Sequence, residues 1–380
     1  MYLDNAATTR VSDEIIDVMT KYSKLLYYNP GSVHPGGENV KRNIDAARHT
    51  IASCINAKRE QIVFTSGGSE ANALALFGLV EYLKCMNRDC IVTSSIEHPS
   101  VLETLKLLKN HGFNICELSV DKNGYIDIDE LKSIINTNWV GLVSIMAVNN
   151  ELGCMQDISA IGKICKENNV LFHTDCVQAA GNIDIDVEKM NIDFLSMSGH
   201  KFHAPKGTGV LYAREKGLLT PVFVGGGQEY GVRSGTENVP GIMGMAHALK
   251  NAYETSISYK DLKSAFVNKV DELCDRNDVE VVFNGDSKTN ASKIVNLRFP
   301  AVDGQTLLMM LGSKGIYVSA GSACKSRSNT PSHVLKAIGL NDDEALSSIR
   351  VSFSMYNTKE DVEEAAGKIV QSVVELQSMI

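Results

Sequence analysis

At 380 residues, with 44% hydrophobic and 22% charged residues, the chain has the composition of a globular protein and the length for two cores. A net charge of −8 argues against nucleic-acid binding as its main business. Nine scattered cysteines, with no CxxC pair and no Cys/His cluster at zinc spacing, read as reduced thiols of a cytoplasmic protein, and no apolar run approaches the ~20 residues that cross a bilayer.

The first residues, Met1 to Asn5, have neither a basic stretch nor a long apolar run and do not read as a signal peptide. Residues 12–27 predict an amphipathic helix: Ser12 caps it, Asp13 and Glu14 fill its first turn, and Ile15, Met19, Tyr22 and Leu26 share a face. A second helix is expected over 38–55 on the stripe Val40, Ile44, Ala47 and Ile51. Short apolar runs then begin at Ile62, Ile91, Val140, Val170 and Phe194, alternating with helical stretches at about 70–86, 99–110, 127–136 and 157–168. That alternation predicts an α/β domain with a mostly parallel sheet, whose ligand site lies beyond the carboxyl ends of the strands.

Most of the polar motifs follow these strands. Thr65-Ser66-Gly67-Gly68-Ser69-Glu70 opens a helix and suits either a phosphate, bound by backbone N–H groups and a hydroxyl, or a tight turn capped by Ser69. His98, in Glu97-His98-Pro99-Ser100, is either structural or placed to stack on a ring and move protons. Asn149-Asn150 is competent for a carboxylate or for an Asx-turn. Asp175 ends one strand with Gln178 just beyond it, and Ser198-Gly199-His200-Lys201 ends the next. An acid, an amide, phosphate donors and a lysine on one sheet edge are what pyridoxal phosphate requires. The lysine amine condenses with the cofactor aldehyde, and the aspartate keeps the pyridine nitrogen protonated.

Gly225 to Thr236, containing Arg233, reads as a loop and a second candidate anion site, or as a flexible connector. A helix near 238–256 leads to strands near 280–283, 294–299 and 349–353 and a closing helix from about 358. Cys324 lies in a polar, small-residue stretch, Ser319 to Ser328, beside Lys325 and Arg327, and cations favour the thiolate nucleophile. Arg350 suits a substrate carboxylate or a structural ion pair.

Assembled in this order, the motifs resemble the cysteine desulfurases, class V aminotransferase-like pyridoxal phosphate enzymes of fold type I. The resemblance extends to Leu3–Thr9 and Ser347–Arg350, and at His203-Ala204-Pro205 it is closer to the nitrogen-fixation branch. It implies a seven-stranded large domain over 1–256, with about 1–30 packing on the other domain, and a small α+β domain over 257–380 that bears the cysteine loop. It assigns Lys201 to the cofactor link, Asp175 to the ring nitrogen, Gln178 to the ring hydroxyl and His98 to stacking and proton transfer. It assigns Gly68, Ser69, Ser198 and His200 to the phosphate, Thr236 to the phosphate of a neighbouring subunit in a homodimer, and Asn150 and Arg350 to the substrate carboxylate, Asn150 also touching the cofactor. Cys324 becomes the persulfide-forming nucleophile that takes sulfur from L-cysteine, leaves L-alanine, and hands the sulfur to an acceptor protein for iron–sulfur assembly or another thiolation. No structural metal is expected, with Cys324 at most a transient iron–sulfur ligand. Tyr230 stands where relatives often have arginine, and the chain ends at Ile380, so neither a partner contact at Tyr230 nor scaffold docking through a longer tail is carried over. A selenocysteine lyase or aminotransferase of the same fold would not need Cys324, and a protein with decayed catalysis would bind the cofactor without turning over cysteine.

Overall fold

The computed structural model describes residues 1–137, 139–255, 258–320 and 330–379. Seven strands form the main sheet: β1 Ile62–Thr65, β2 Cys90–Ser94, β3 Asn114–Leu118, β4 Val140–Ser144, β5 Leu171–Asp175, β6 Phe194–Ser198 and β7 Gly209–Ala213. Their order is β1-β7-β6-β5-β4-β2-β3. Only β7 runs against its neighbours, so the other six strands end on one edge. Successive residues feed opposite faces: Val92, Val143 and Leu195 pack into one apolar cluster, and Ile91, Leu142 and Phe194 into another. Both faces are covered by helices, as near-continuous apolar strands demand.

The first helix, Asp13–Lys24, is capped as expected by Ser12, whose Oγ accepts from the Ile15 N–H at 3.3 Å. The second begins earlier than its apolar stripe, at Pro35, because His34 caps it through Nδ1 and Pro35 sits in the first turn. The helical stretch predicted over 70–86 is two helices, Gly68–Gly78 and Val80–Cys85. β3 escaped the apolar pattern because it is a half-exposed edge strand containing Asn114 and Glu117.

Beyond the helix Val239–Glu254, a three-stranded antiparallel sheet has the order β10-β9-β8, with β8 Val282–Phe283, β9 Ile294–Arg298 and β10 Ser348–Ser352. The helices Tyr259–Asn277 and Lys359–Gln377 pack against each other, and Phe266, Val295, Phe353 and Ile369 share a separate core. Of the first thirty residues, only the extreme N-terminus joins that core, through Leu3. The helix Asp13–Lys24 instead packs on Val239–Glu254, with Ile15 and Tyr22 in the large core, because its apolar stripe faces that helix.

Candidate active site

Five strand ends converge on a cavity of about 220 Å³. The turn after β1 delivers Gly68 and Ser69. The helix they open is capped by Gly67 without a side-chain bond, so Ser69 is not its N-cap. A Cβ on Gly68 would lie 2.6 Å from Val177 Cγ2 and 3.3 Å from Ser198 Cβ, so only glycine lets this helix start so close to the ends of β5 and β6. Unspent N–H groups at a helix start, beside the Ser69 and Ser198 hydroxyls, form an anion cradle.

Asp175 reaches the cavity from β5. Its Oδ1 accepts from the Val177 N–H at 2.9 Å and its Oδ2 from Asn72 Nδ2 at 2.8 Å. Asn72 Nδ2 also reaches Ser100 Oγ at 2.9 Å. Behind Asp175, His173 bridges Ser144 Oγ (2.8 Å) and Ser196 Oγ (3.0 Å), tying β4, β5 and β6 together. Gln178 donates to the Ala6 carbonyl at 2.9 Å, while its Oε1 is buried without a partner. Lys201, in the turn after β6, donates through Nζ to the carbonyls of Ala6 and Ala7, both at 2.7 Å. His200, beside it, meets Thr8 Oγ1 at 3.1 Å. The N-terminal segment thus forms one wall.

His98 lines the cavity and also caps its own helix: Nδ1 accepts from the Ser100 N–H at 3.1 Å, which puts the neutral ring's proton on Nε2. Burial lowers its pKa, Asp175 opposes this, and Lys201 and His333 add to it. Burial likewise takes His200 to about 4, helped by Lys201, Lys206 and Lys293. Glu97 is pushed the other way, to about 8, by burial and by Asp175, against the hydrogen bonds from Met146 N–H and Ser94.

The neighbouring asparagines divide their tasks. Asn149 makes the Asx-turn, its Oδ1 accepting from Glu151 and Leu152 N–H at 2.8 and 2.9 Å, and Asn150 lines the cavity. Arg350 enters from β10: it is ion-paired to Asp4 (2.6 Å) and lines the cavity, with its Nη1 donating to the Asn150 carbonyl at 2.8 Å and its Nε buried without a partner.

Ten predicted residues therefore meet here: Gly68, Ser69, His98, Asn150, Asp175, Gln178, Ser198, His200, Lys201 and Arg350. Thr236 is exposed and outside the cavity. Cys324 lies outside the described residues. Ser319 pairs through its backbone with Arg350, and His333 Nε2 meets the Glu97 carbonyl at 3.0 Å. Arg233, in the second candidate anion segment, is ion-paired to Glu70 at 2.7 Å. Asn72 escaped the motif reading, and Asp4, within the Leu3–Thr9 motif, was given no role. The one signal for Asn72 was an amide inside the apolar run Ala71–Phe77.

The arrangement fits pyridoxal phosphate by its donor set: a carboxylate with fixed orientation, an amine, a helix start with hydroxyls, and an orphaned buried acceptor on Gln178. Residues 1–364 match the family described as Aminotransferase class-V. The chain is 41% identical to a cysteine desulfurase IscS of Methanosarcina thermophila, over all of this chain and 93% of that one. It superposes on a solved NifS-like protein with a TM-score of 0.90 at 35% identity, each chain covered in full. With a solved SspA in complex with cysteine the TM-score is 0.81 at 36% identity, over 94% of this chain and 99% of that one.

Proposed function

This chain belongs to the aminotransferase class-V family, and from that premise we propose that it is a cysteine desulfurase using pyridoxal phosphate. The carrying observation is that Lys201, Asp175, the Gly68–Ser69 helix start and Arg350 line one cavity in a chain related along its whole length to cysteine desulfurases. The cofactor, when bound, supplies an aldehyde for amines and a ring that accepts electrons.

Lys201 would hold the aldehyde, and its Nζ, when free, would take the α-proton of the substrate. Asp175 would hold the ring nitrogen, Gln178 the ring hydroxyl, and His98 would cover the ring. Gly68, Ser69, Ser198 and His200 would receive the phosphate, and Asn150 and Arg350 the substrate carboxylate. Neutral His98 has its Nε2 proton to give. The Cys324 thiolate attacks the substrate sulfur: the Cβ–S bond breaks, an S–S bond forms, and L-cysteine plus enzyme thiol become L-alanine plus enzyme persulfide, with no outside oxidant.

Thr236 serves the phosphate of a second copy in a homodimer. In support, Phe223 and Val224, which lead into the same segment, are 50% and 82% exposed. The persulfide passes to an acceptor protein. Among the described residues no helix is long and apolar enough to cross a membrane. The eight described cysteines are free thiols, which suits a reducing cytoplasm. The chain divides near residue 256 into a cofactor domain and a smaller domain bearing Cys324.

Single turnover with L-cysteine tests the reading. The unmodified protein should yield alanine and protein-bound sulfane sulfur, while Cys324→Ala yields no bound sulfur and loses alanine formation. Equal alanine from both, with free sulfide, would replace this reading with a lyase that does not use Cys324.

A further inference from the structure

Lys293 is a buried amine that the chemistry above does not use. It stands just before β9 and is 3% exposed. Its Nζ donates to the backbone carbonyl of Lys201 at 3.0 Å, while its own carbonyl accepts from the Phe353 N–H at 2.9 Å. It therefore links the small sheet to the turn that presents Lys201. A second cavity, of about 280 Å³, shares Lys201 with the first and is lined by Lys293, His203, Asp184, Tyr253 and Tyr259.

An ammonium buried with one hydrogen bond is expensive, and an apolar side chain of similar length would pack there at lower cost. Burial and then the charge of Lys201 take the Lys293 pKa down to about 7, with no carboxylate offsetting them. Lys293 in turn acts on His200 and His203, which burial also lowers to about 4. Repulsion between two amines is reciprocal: a charge on Lys293 opposes a charge on the Lys201 nitrogen as strongly as the reverse.

We propose that Lys293 is a positioning residue for Lys201, fixing its backbone through the carbonyl and, when protonated, disfavouring positive charge on the Lys201 nitrogen. This rests on the reading of Lys201 as the cofactor link. A neutral nitrogen is the state that can take a proton, so the placement matches the task of Lys201.

The test is a pH titration of the visible absorption band of the pyridoxal phosphate-loaded protein, unmodified and with Lys293→Met, Lys293→Gln and Lys293→Arg. Removing the cation should raise the apparent pKa of the band by about one unit or more, since two unit charges about 12 Å apart at an effective dielectric of ~20 interact by about one pKa unit and closer charges by more. Lys293→Arg, permanently charged, should keep the value at or below that of the unmodified protein. The Gln variant decides the matter if the Met variant does not fold. A band that titrates identically with and without the cation overturns the inference. Absence of any such band in the unmodified protein, or its persistence in Lys201→Ala, overturns instead the assignment of Lys201.

Discussion

Asp175 can hold a pyridine nitrogen only if its carboxylate is fixed, and half of its fixing comes from one side chain. Asn72 is 1% exposed and is the donor to Asp175 Oδ2. Asn72→Ala removes that donor and leaves a buried carboxylate oxygen underbonded, a loss of about 1–3 kcal/mol. The expected outcome is cofactor affinity weakened roughly ten-fold or more, read by titrating the purified variant with pyridoxal phosphate and following the visible band. Unchanged affinity would mean that the Val177 N–H alone orients the acid. Residues such as Lys201, Asp175 and Gln178 were legible because a polar side chain directly after an apolar strand has few structural uses. Asn72 was not, because its role comes from packing one helix against the end of β5, a contact between residues 103 apart. Arg350 was legible only as a choice between a substrate carboxylate and a structural ion pair, and its contact with Asp4 joins the two ends of the chain, 346 residues apart.

At the scale of elements, the glycine-rich segment after residue 224 is not a flexible connector. Glu229 and Tyr230 hold φ of 48° and 61°, in the left-handed region that side chains avoid. What holds them is Glu229, whose carboxylate takes both Arg48 nitrogens at 2.6 and 2.8 Å and the Phe64 N–H at 2.8 Å, all buried beside β1. Glu229→Ala leaves the buried Arg48 guanidinium without its counter-charge and with only the Ile62 carbonyl at 2.7 Å, which costs about 3–5 kcal/mol. Urea unfolding should show that drop. Glu103→Ala, which breaks a pair whose side chains are both about two-thirds exposed, should leave the midpoint in place. A Glu229 variant as stable as the parent would show that the segment does not depend on this pair. Composition could not foresee this, because Gly and Ser mark a loop without saying what pins it. The same limit hid the helix Tyr259–Asn277, whose stripe is diluted by charges, whereas Ser12 and the apolar face of Asp13–Lys24 announced the first helix plainly.

At the scale of the whole molecule, the α/β alternation foretold the sheet and the edge on which the site lies, but not that the site is a seam. Arg350 comes from the second sheet, Lys201 from the first, and the N-terminal segment crosses between them. Folding buries titratable groups at that seam and within the main sheet, and their shifts set how the fold responds to pH. Burial lowers His173, His200 and His203 to about 4 from a usual 6.5, so below pH 6.5 the unfolded chain takes up protons that the folded one refuses. Stability is lost as pH falls from 6.5 to 4. Glu97 works in the opposite sense: raised from 4.5 to about 8, it keeps its proton when folded, so its term favours the fold at low pH and is lost as pH rises from 4.5 to 8. Lys263 and Lys293, lowered from 10.5 to about 7, destabilise the fold as pH falls from 10.5 to 7. On the acid side three histidines outweigh one glutamate, so the melting temperature should fall between pH 6.5 and 4. His173→Asn, which removes a buried imidazole but keeps hydrogen-bonding capacity, should flatten that fall, and Glu97→Gln should steepen it. A melting temperature that holds level across this window, or a His173→Asn profile parallel to that of the parent, would show that these imidazoles take protons without opening the seam.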